Sequence, residues 1–312
     1  MRKMVLLLLL SAGCFLSAQS NFPAKGDLAT AQRVNLEFDG LERYYLIQPV
    51  HAPGLHPVVI LLHGSTQTAD GVWKQSSLPT LAARDGFIFV APNGVGTHWN
   101  DGRGMALGGN PSTADDVGFL KEVIRQVVRN YSGDPDAVFM AGISNGGFMT
   151  FRFACEAGEQ LHAAANTIST LPLDMTKSCK APPMPWLSFN GTDDPLVSFN
   201  TTHAHKNSMG KRIPDLLSAD DTFKFFAGRN QCRPINAGEK LPHLNADDPT
   251  WIEKRTCKDR QGIQSLQYVV HNGGHSLPDL QLKPLIRKVL GNSSQDIDGG
   301  EMLWNFFKQT LR

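Results

Sequence analysis

The stretch Ala137-Val138-Phe139-Met140-Ala141-Gly142-Ile143-Ser144-Asn145-Gly146 decides the fold. Its first half is a short apolar run of strand length, and the residues after Gly146 read as a helix. Gly142-Ile143-Ser144-Asn145-Gly146 therefore sits on a strand-to-helix turn. In such a turn the backbone bends so tightly that side chains flanking the serine would collide, which is why glycine is wanted two residues before and two after. The turn would hold the Ser144 hydroxyl out as a nucleophile. With 29 glycines in 312 residues the motif alone is a weak signal, so its weight must come from the surrounding sequence.

Outward from this stretch the same pattern recurs. Val58 to Leu62, Phe87 to Val90, Trp186 to Phe189 and Tyr268 to Val270 are short runs without regular polar alternation, as expected of parallel strands buried on both faces. Val34 to Phe38 and Tyr44 to Pro49 flank Asp39-Gly40, a hairpin signal at the start of the domain. Helical segments lie between the strands. The clearest is Ala114 to Tyr131, with Val117, Leu120, Ile124, Val127, Val128 and Tyr131 on one face and Thr113-x-x-Asp116 as a capping box. Repeated strand-then-helix order predicts an α/β fold: a doubly wound, mostly parallel sheet with helices on both faces and ligands at the carboxyl ends of its strands. Residues 200–214 and 229–254 break the rhythm with Pro, Asn, Gly and His. They read as a surface insertion around 200–257 in an otherwise single domain spanning residues 21–312. The sequence shows no internal repeat, linker or appended module.

The chain opens with Arg2-Lys3, an apolar run from Met4 to Leu16, and small or polar residues at Ser17, Ala18 and Ser20. This predicts a secretory signal peptide over residues 1–20 and a secreted or periplasmic product. Ser11-Ala12-Gly13-Cys14 resembles a lipoprotein cleavage box, with a lipid anchor at Cys14. Phe15-Leu16 continues the apolar run, however, and serine stands where such boxes carry leucine. No later run approaches spanning length. Export leaves Cys155, Cys179, Cys232 and Cys257, for which three pairings exist; the two sequence-local ones, Cys155-Cys179 and Cys232-Cys257, are favoured. The formal net charge of +1, without a Lys/Arg cluster, gives no footprint for nucleic acid or an anionic membrane. It suits a substrate that is neutral or not selected by charge.

Acyl transfer needs a nucleophile, a base, an acid to hold the base, and donors for the developing oxyanion. Ser144 follows one apolar run. Trp186 to Phe189 leads into Asn190-Gly191-Thr192-Asp193-Asp194-Pro195, which sets a carboxylate after another. Tyr268 to Val270 leads into Asn272-Gly273-Gly274-His275, which sets an imidazole after the last. Each residue type has a structural alternative, as a Gly-rich turn, an Asx turn or a surface histidine. The order Ser, Asp, His on three post-strand turns is what gives the set its force. Val58 to Leu62 runs into His63-Gly64-Ser65-Thr66-Gln67, where the glycine lets backbone approach a substrate, so the amides of Ser65 and Asn145 are the expected oxyanion donors. His63 is expected to orient that loop beside the pocket. His203-Ala204-His205 lacks a nearby third ligand and reads as a solvated segment, so neither metal nor cofactor is expected.

The chain resembles secreted esterases of the polyhydroxybutyrate depolymerase and feruloyl esterase type, a branch of the α/β-hydrolases. The resemblance rests on Leu62-His63-Gly64-Ser65-Thr66-Gln67, Trp99-Asn100, Asp115-Asp116-Val117-Gly118-Phe119, Gly142-Ile143-Ser144-Asn145-Gly146-Gly147, Gly191-Thr192-Asp193-Asp194, Gly273-Gly274-His275, Gln295-Asp296-Ile297-Asp298 and Trp304-Asn305-Phe306-Phe307. It implies Ser144 as nucleophile, His275 as base and Asp194 as acid, Asp194 rather than Asp193 because the pattern places its aspartate three residues after the glycine and just before Pro195. It further implies a Cys232-Cys257 bridge, and on the mechanism these roles suggest, Trp99, with His63, is expected at the substrate pocket. Two departures bear on the pocket walls: residues 101–109 contain no cysteine, and Ser276-Leu277-Pro278 replaces the usual aromatic after the histidine. Acyl specificity is therefore open between hydroxycinnamoyl or acetyl esters on plant-derived saccharides and short hydroxyalkanoate oligomers, with poly(3-hydroxybutyrate) depolymerase proper as an alternative. A peptidase of this fold would need a gating domain the sequence does not supply. The alternative of another class is an inactive exported protein that binds polyphenols or polysaccharide.

Overall fold

Strand β3 (His56–Leu62) shows how the sheet is built: Val58, Ile60 and Leu62 enter one hydrophobic core while Val59 and Leu61 enter another, all of them fully buried. The period-two alternation of a strand thus feeds two layers, and both faces must be covered by helices. The computed structural model describes residues 22–104, 112–200, 203–206, 212–232, 234–260, 262, 264–280 and 282–311. The expected signal peptide with Cys14 and the side chain of His205 lie outside the described residues.

The other strands are β1 (Gln32–Phe38), β2 (Leu41–Gln48), β4 (Ile88–Pro92), β5 (Gly133–Ile143), β6 (Ala163–Thr167), β7 (Trp186–Gly191), β8 (His205–Lys206), β9 (Arg212–Ile213), β10 (Glu239–Lys240), β11 (Trp251–Lys258) and β12 (Gln264–His271). All but the β8-β9 ribbon join one sheet in the order β1-β2-β4-β3-β5-β6-β7-β12-β11-β10. Its centre, from β4 to β12, is parallel, and both edges are antiparallel. Helices α3 (Asp116–Tyr131), α4 (Asn145–Ala157) and α6 (Ala219–Arg229) cover one face through residues such as Leu120, Phe153 and Phe226. Helices α1 (Ala69–Gln75), α2 (Leu78–Asp85) and α8 (Gly299–Thr310) cover the other through Trp73, Leu81 and Phe307. Two short helices, α5 (Met175–Ser178) and α7 (Pro284–Leu290), bury no residue fully. This is the doubly wound, mostly parallel sheet with helices on both faces that the sequence pattern predicts, and it fits the α/β-hydrolase architecture that the resemblance implies.

Three details differ from the sequence reading. Residues 251–258, counted in part with the surface insertion, form strand β11 against β12, so the sheet continues through that segment to β10. Strand β6 is absent from the sequence pattern because Ala163-Ala164-Ala165 carries no β-branched signal; pairing with β5 on one side and β7 on the other imposes its conformation. Helix α3 is capped by Asp115, whose side chain accepts from the Gly118 amide at 2.8 Å, rather than by Thr113. Asp116 is drawn inward instead. Its buried carboxylate accepts from Arg43 Nη2 at 2.6 Å and from the Asn100 amide at 2.7 Å. Burial raises its pKa, opposed by Arg43.

Candidate active site

Four parallel strands end on the same rim, and their turns bring the site together. After β5 the chain reverses at Ser144, whose φ of 53° and ψ of −115° lie outside ordinary strand or helix space. A Cβ at Gly142 would sit 2.0 Å from the Gly146 carbonyl oxygen, and one at Gly146 would sit 2.3 Å from the Leu62 carbonyl oxygen. The elbow is thus pressed against the end of β3, next to the loop His63-Gly64-Ser65. No side chain fits between them.

The turns after β7 and β12 meet in the same way. Thr192 N–H donates to Val270 O and Asp193 N–H to Gly273 O, both at 2.9 Å, and a Cβ on Gly191 would lie 2.3 Å from Gly273 O. That contact carries the carboxylate turn to the imidazole turn. His275 Nδ1–H donates to Asp194 Oδ2 at 2.7 Å, and Ser144 O–H reaches His275 Nε2 at 2.9 Å. All three side chains are nearly buried. The other Asp194 oxygen accepts from the amides of Leu196 (2.8 Å) and Val197 (2.9 Å), which fix the carboxylate in its plane. Asp193 is exposed and accepts from its neighbour Thr192 Oγ1. Of the two adjacent aspartates only Asp194 faces the imidazole.

The main-chain amides of Ser65 and Asn145 donate to no acceptor among the described residues. Asn145 opens helix α4, so its N–H belongs to the unpaired first turn of that helix and carries its positive dipole end. Its side chain is strapped backwards: Oδ1 accepts from the Trp99 amide at 2.8 Å, while Nδ2 donates to Asp101 Oδ2 at 2.5 Å and to Trp99 O at 3.2 Å. Asp101 pairs in turn with Arg103 (2.6 Å), whose guanidinium lies 3.4 Å from the centre of the Phe148 ring. Sequence reasoning assigned nothing to Asp101 and Arg103, since a DxR spacing in a loop carries no signal of its own.

The structure corrects the placement of His63 and Trp99, expected at the pocket. His63 is 0% exposed and Trp99 1%, and neither lines the cavity. Trp99 Nε1–H donates to His63 O at 3.0 Å, and the two rings pack at 5.0 Å. His63 Nδ1–H donates to Gly64 O (2.8 Å) while Nε2 accepts from the Gly94 amide (2.9 Å). Both ring nitrogens are committed to the neutral tautomer, and burial pushes the pKa down to about 4. The pair braces the Ser65 loop from behind rather than meeting a ligand.

A cavity of about 650 Å³ opens over Ser144 and His275. Its polar rim comes from Ser65, Thr66, Gln67 and Gln75; beyond these, Gly64, Ser276 and the Ser144-His275 pair, the lining is aliphatic, including Ile143, Ile168, Leu196 and Leu277 with the segment that leads into α7. The two sequence-local disulfides, Cys155-Cys179 and Cys232-Cys257, are formed; the first ties α4 to the residue after α5, the second ties the end of α6 to β11.

No protein-family model matches the chain. Among curated proteins it is similar to feruloyl esterase D of Neurospora crassa, 27% identical over 290 residues covering 87% of this chain and 88% of that protein. It is also similar to feruloyl esterase B of Piromyces equi, 28% identical over 261 residues, or 81% of this chain and 42% of the relative's length. A poly(3-hydroxybutyrate) depolymerase of Ralstonia pickettii is 33% identical over 124 residues, 35% of this chain and 24% of that one. Among solved structures, the acetyl xylan esterase from Aspergillus awamori superposes with a TM-score of 0.53 at 15% identity, covering 78% of this chain and 94% of that chain. Fold and relatives together define a carboxylic ester hydrolase of the α/β-hydrolase superfamily. The curated relatives it resembles are feruloyl esterases and a poly(3-hydroxybutyrate) depolymerase.

Proposed function

We propose that the protein is an exported serine esterase working through an acyl-enzyme. Ser144 Oγ attacks the ester carbonyl carbon as His275 Nε2 takes its proton. Asp194 holds the imidazole in the tautomer that leaves Nε2 free and stabilises the imidazolium. The amides of Ser65 and Asn145 meet the charge that develops on the carbonyl oxygen. His275 then gives its proton to the departing alcohol, and a water molecule repeats the sequence to release the acid. The observation that carries this reading is the relay itself: hydroxyl to imidazole at 2.9 Å and imidazole to carboxylate at 2.7 Å, beneath a cavity that opens on Ser144. Export rests on residues 1–20 acting as a signal peptide, and two disulfides are in keeping with an oxidising compartment.

For the substrate class the names of the relatives and the uncharged setting favour neutral esters: hydroxycinnamoyl or acetyl groups on plant-derived saccharides, or short hydroxyalkanoate oligomers. The test is p-nitrophenyl acetate turnover by Ser144→Ala and Asp194→Asn beside the wild type, with fluorophosphonate labelling as an independent reading of the nucleophile. Ser144→Ala should lose label and turnover together, and Asp194→Asn should fall by about 10³-fold or more through the wrong tautomer. Turnover retained in Ser144→Ala would refute the assignment.

A further inference from the structure

We propose that the cavity over Ser144 selects esters carrying a straight saturated hydrocarbon chain, of hexanoyl or octanoyl length, seated along a wall formed by Leu280, Leu282, Ile286 and Leu290. The proposal rests on the Ser144 esterase reading above and departs from the substrate groups that the relatives' names favour, setting an aliphatic chain ahead of hydroxycinnamoyl and acetyl groups.

The wall has a definite origin. After His275 the chain runs through Leu277 and Leu280 and enters α7 at Pro284, and this segment supplies Leu277, Leu280, Leu282, Ile286 and Leu290 to the cavity. It is fastened to the base: His275 N–H donates to Leu290 O at 2.5 Å and Gly274 N–H to Asn292 O at 2.8 Å. The wall and the imidazole therefore keep one geometry relative to each other. A chain lying on these side chains is held in register with the reacting carbonyl, which is the condition for chain burial to raise the rate and not only the affinity.

The chemistry of the lining discriminates between ligand classes. Among the described residues no aromatic side chain faces the cavity apart from the His275 ring, so a phenolic ring meets no stacking partner among them. Apart from Ser144, His275 and Ser276, whose hydroxyl donates to Asn292 O at 3.4 Å, the polar side chains are Ser65, Thr66, Gln67 and Gln75, from the stretch between β3 and the end of α1. Hydroxyls of a sugar or a phenol placed on the leucine wall would lose water without finding a partner, whereas methylenes lose nothing. Ile286 is 44% exposed and lines the cavity as well, so the apolar wall reaches solvent and no closed end truncates the chain.

Each methylene buried in an aliphatic site is worth about fourfold in affinity for the transition state, which sets a ceiling of about 200-fold between acetyl and hexanoyl esters. The experiment measures kcat/KM on the full mature protein for p-nitrophenyl acetate, butyrate, hexanoate, octanoate and ferulate, and by pH-stat for ethyl, butyl and hexyl acetate. The expected result is a rise of about tenfold or more from acetyl to hexanoyl, or from ethyl to hexyl, with hexanoate above ferulate. Leu282→Ser and Ile286→Ser should each lower the hexanoate-to-acetate ratio by about threefold or more, a ratio that cancels any general loss of active protein. Acetate turnover that depends on Ser144, together with flat or falling dependence on chain length in both series, or with ferulate the best substrate, overturns this proposal and leaves the esterase reading standing. No turnover of any ester by the wild type overturns both.

Discussion

Acidification should destabilise this protein through His63, a residue that takes no part in the proposed chemistry. His63 is fully buried, with Nδ1–H bonded to Gly64 O and Nε2 accepting from the Gly94 amide, so a second ring proton would both lose that amide bond and place a charge in the core. Its folded pKa is about 4, against 6.5 for the unfolded chain. The sign follows from linkage: between these values the unfolded state binds the proton and the folded state does not, so stability is present above the unfolded value and lost as pH falls towards the folded one. At 1.36 kcal/mol per pH unit the full loss is about 3 kcal/mol, of which about 2 kcal/mol is lost by about pH 5. Urea unfolding at about pH 7.5 and about pH 5, followed by tryptophan fluorescence, measures it. His63→Gln removes the titrating ring; it should be less stable than the wild type at the higher pH, yet lose about 2 kcal/mol less on acidification. Equal losses for wild type and variant would show that His63 is not held neutral, and the brace described for the Ser65 loop would fall with it.

Two further predictions concern the frame of the site. Gly146→Ala would drive a methyl to 2.3 Å from the Leu62 carbonyl oxygen, backbone that cannot rotate away, so the elbow must separate from β3; ester turnover should drop by about 10²-fold or more while far-UV circular dichroism stays native. Turnover within a few-fold of wild type would mean the close approach is not needed. Replacing Cys232 and Cys257 together by serine opens a loop with a sequence separation of 25, which the loop-entropy relation values at about 3.5 kcal/mol; a fall in the urea midpoint without change in kcat is expected, since the bridge lies at the β11 edge. An unchanged midpoint would show that this segment is held by β11 pairing alone.

Much of the site was legible because its residues follow strands that announce themselves. Val58 to Leu62 and Ala137 to Ala141 are too short and too uniformly apolar for anything but a twice-covered strand, so the turns after them had to lie on one rim. Glycines at 142 and 146 marked a close approach that the structure shows as backbone against backbone. What could not be read were features with no local signature. The triple alanine of β6 becomes a strand only between two neighbours, and residues 251–258 become a strand only beside β12.

The sequence by itself determined the layered α/β architecture, the order of serine, aspartate and histidine on three turns, and the set of cysteines available to pair, because these follow from periodicity and residue type along the chain. Tertiary structure alone decided that Trp99 and His63 stand behind the loop rather than in the pocket, and that leucines from the segment around α7 wall the cavity. These are relations between side chains far apart in sequence. Burial, direction and hydrogen-bond partnership arise only when the turns close on one another.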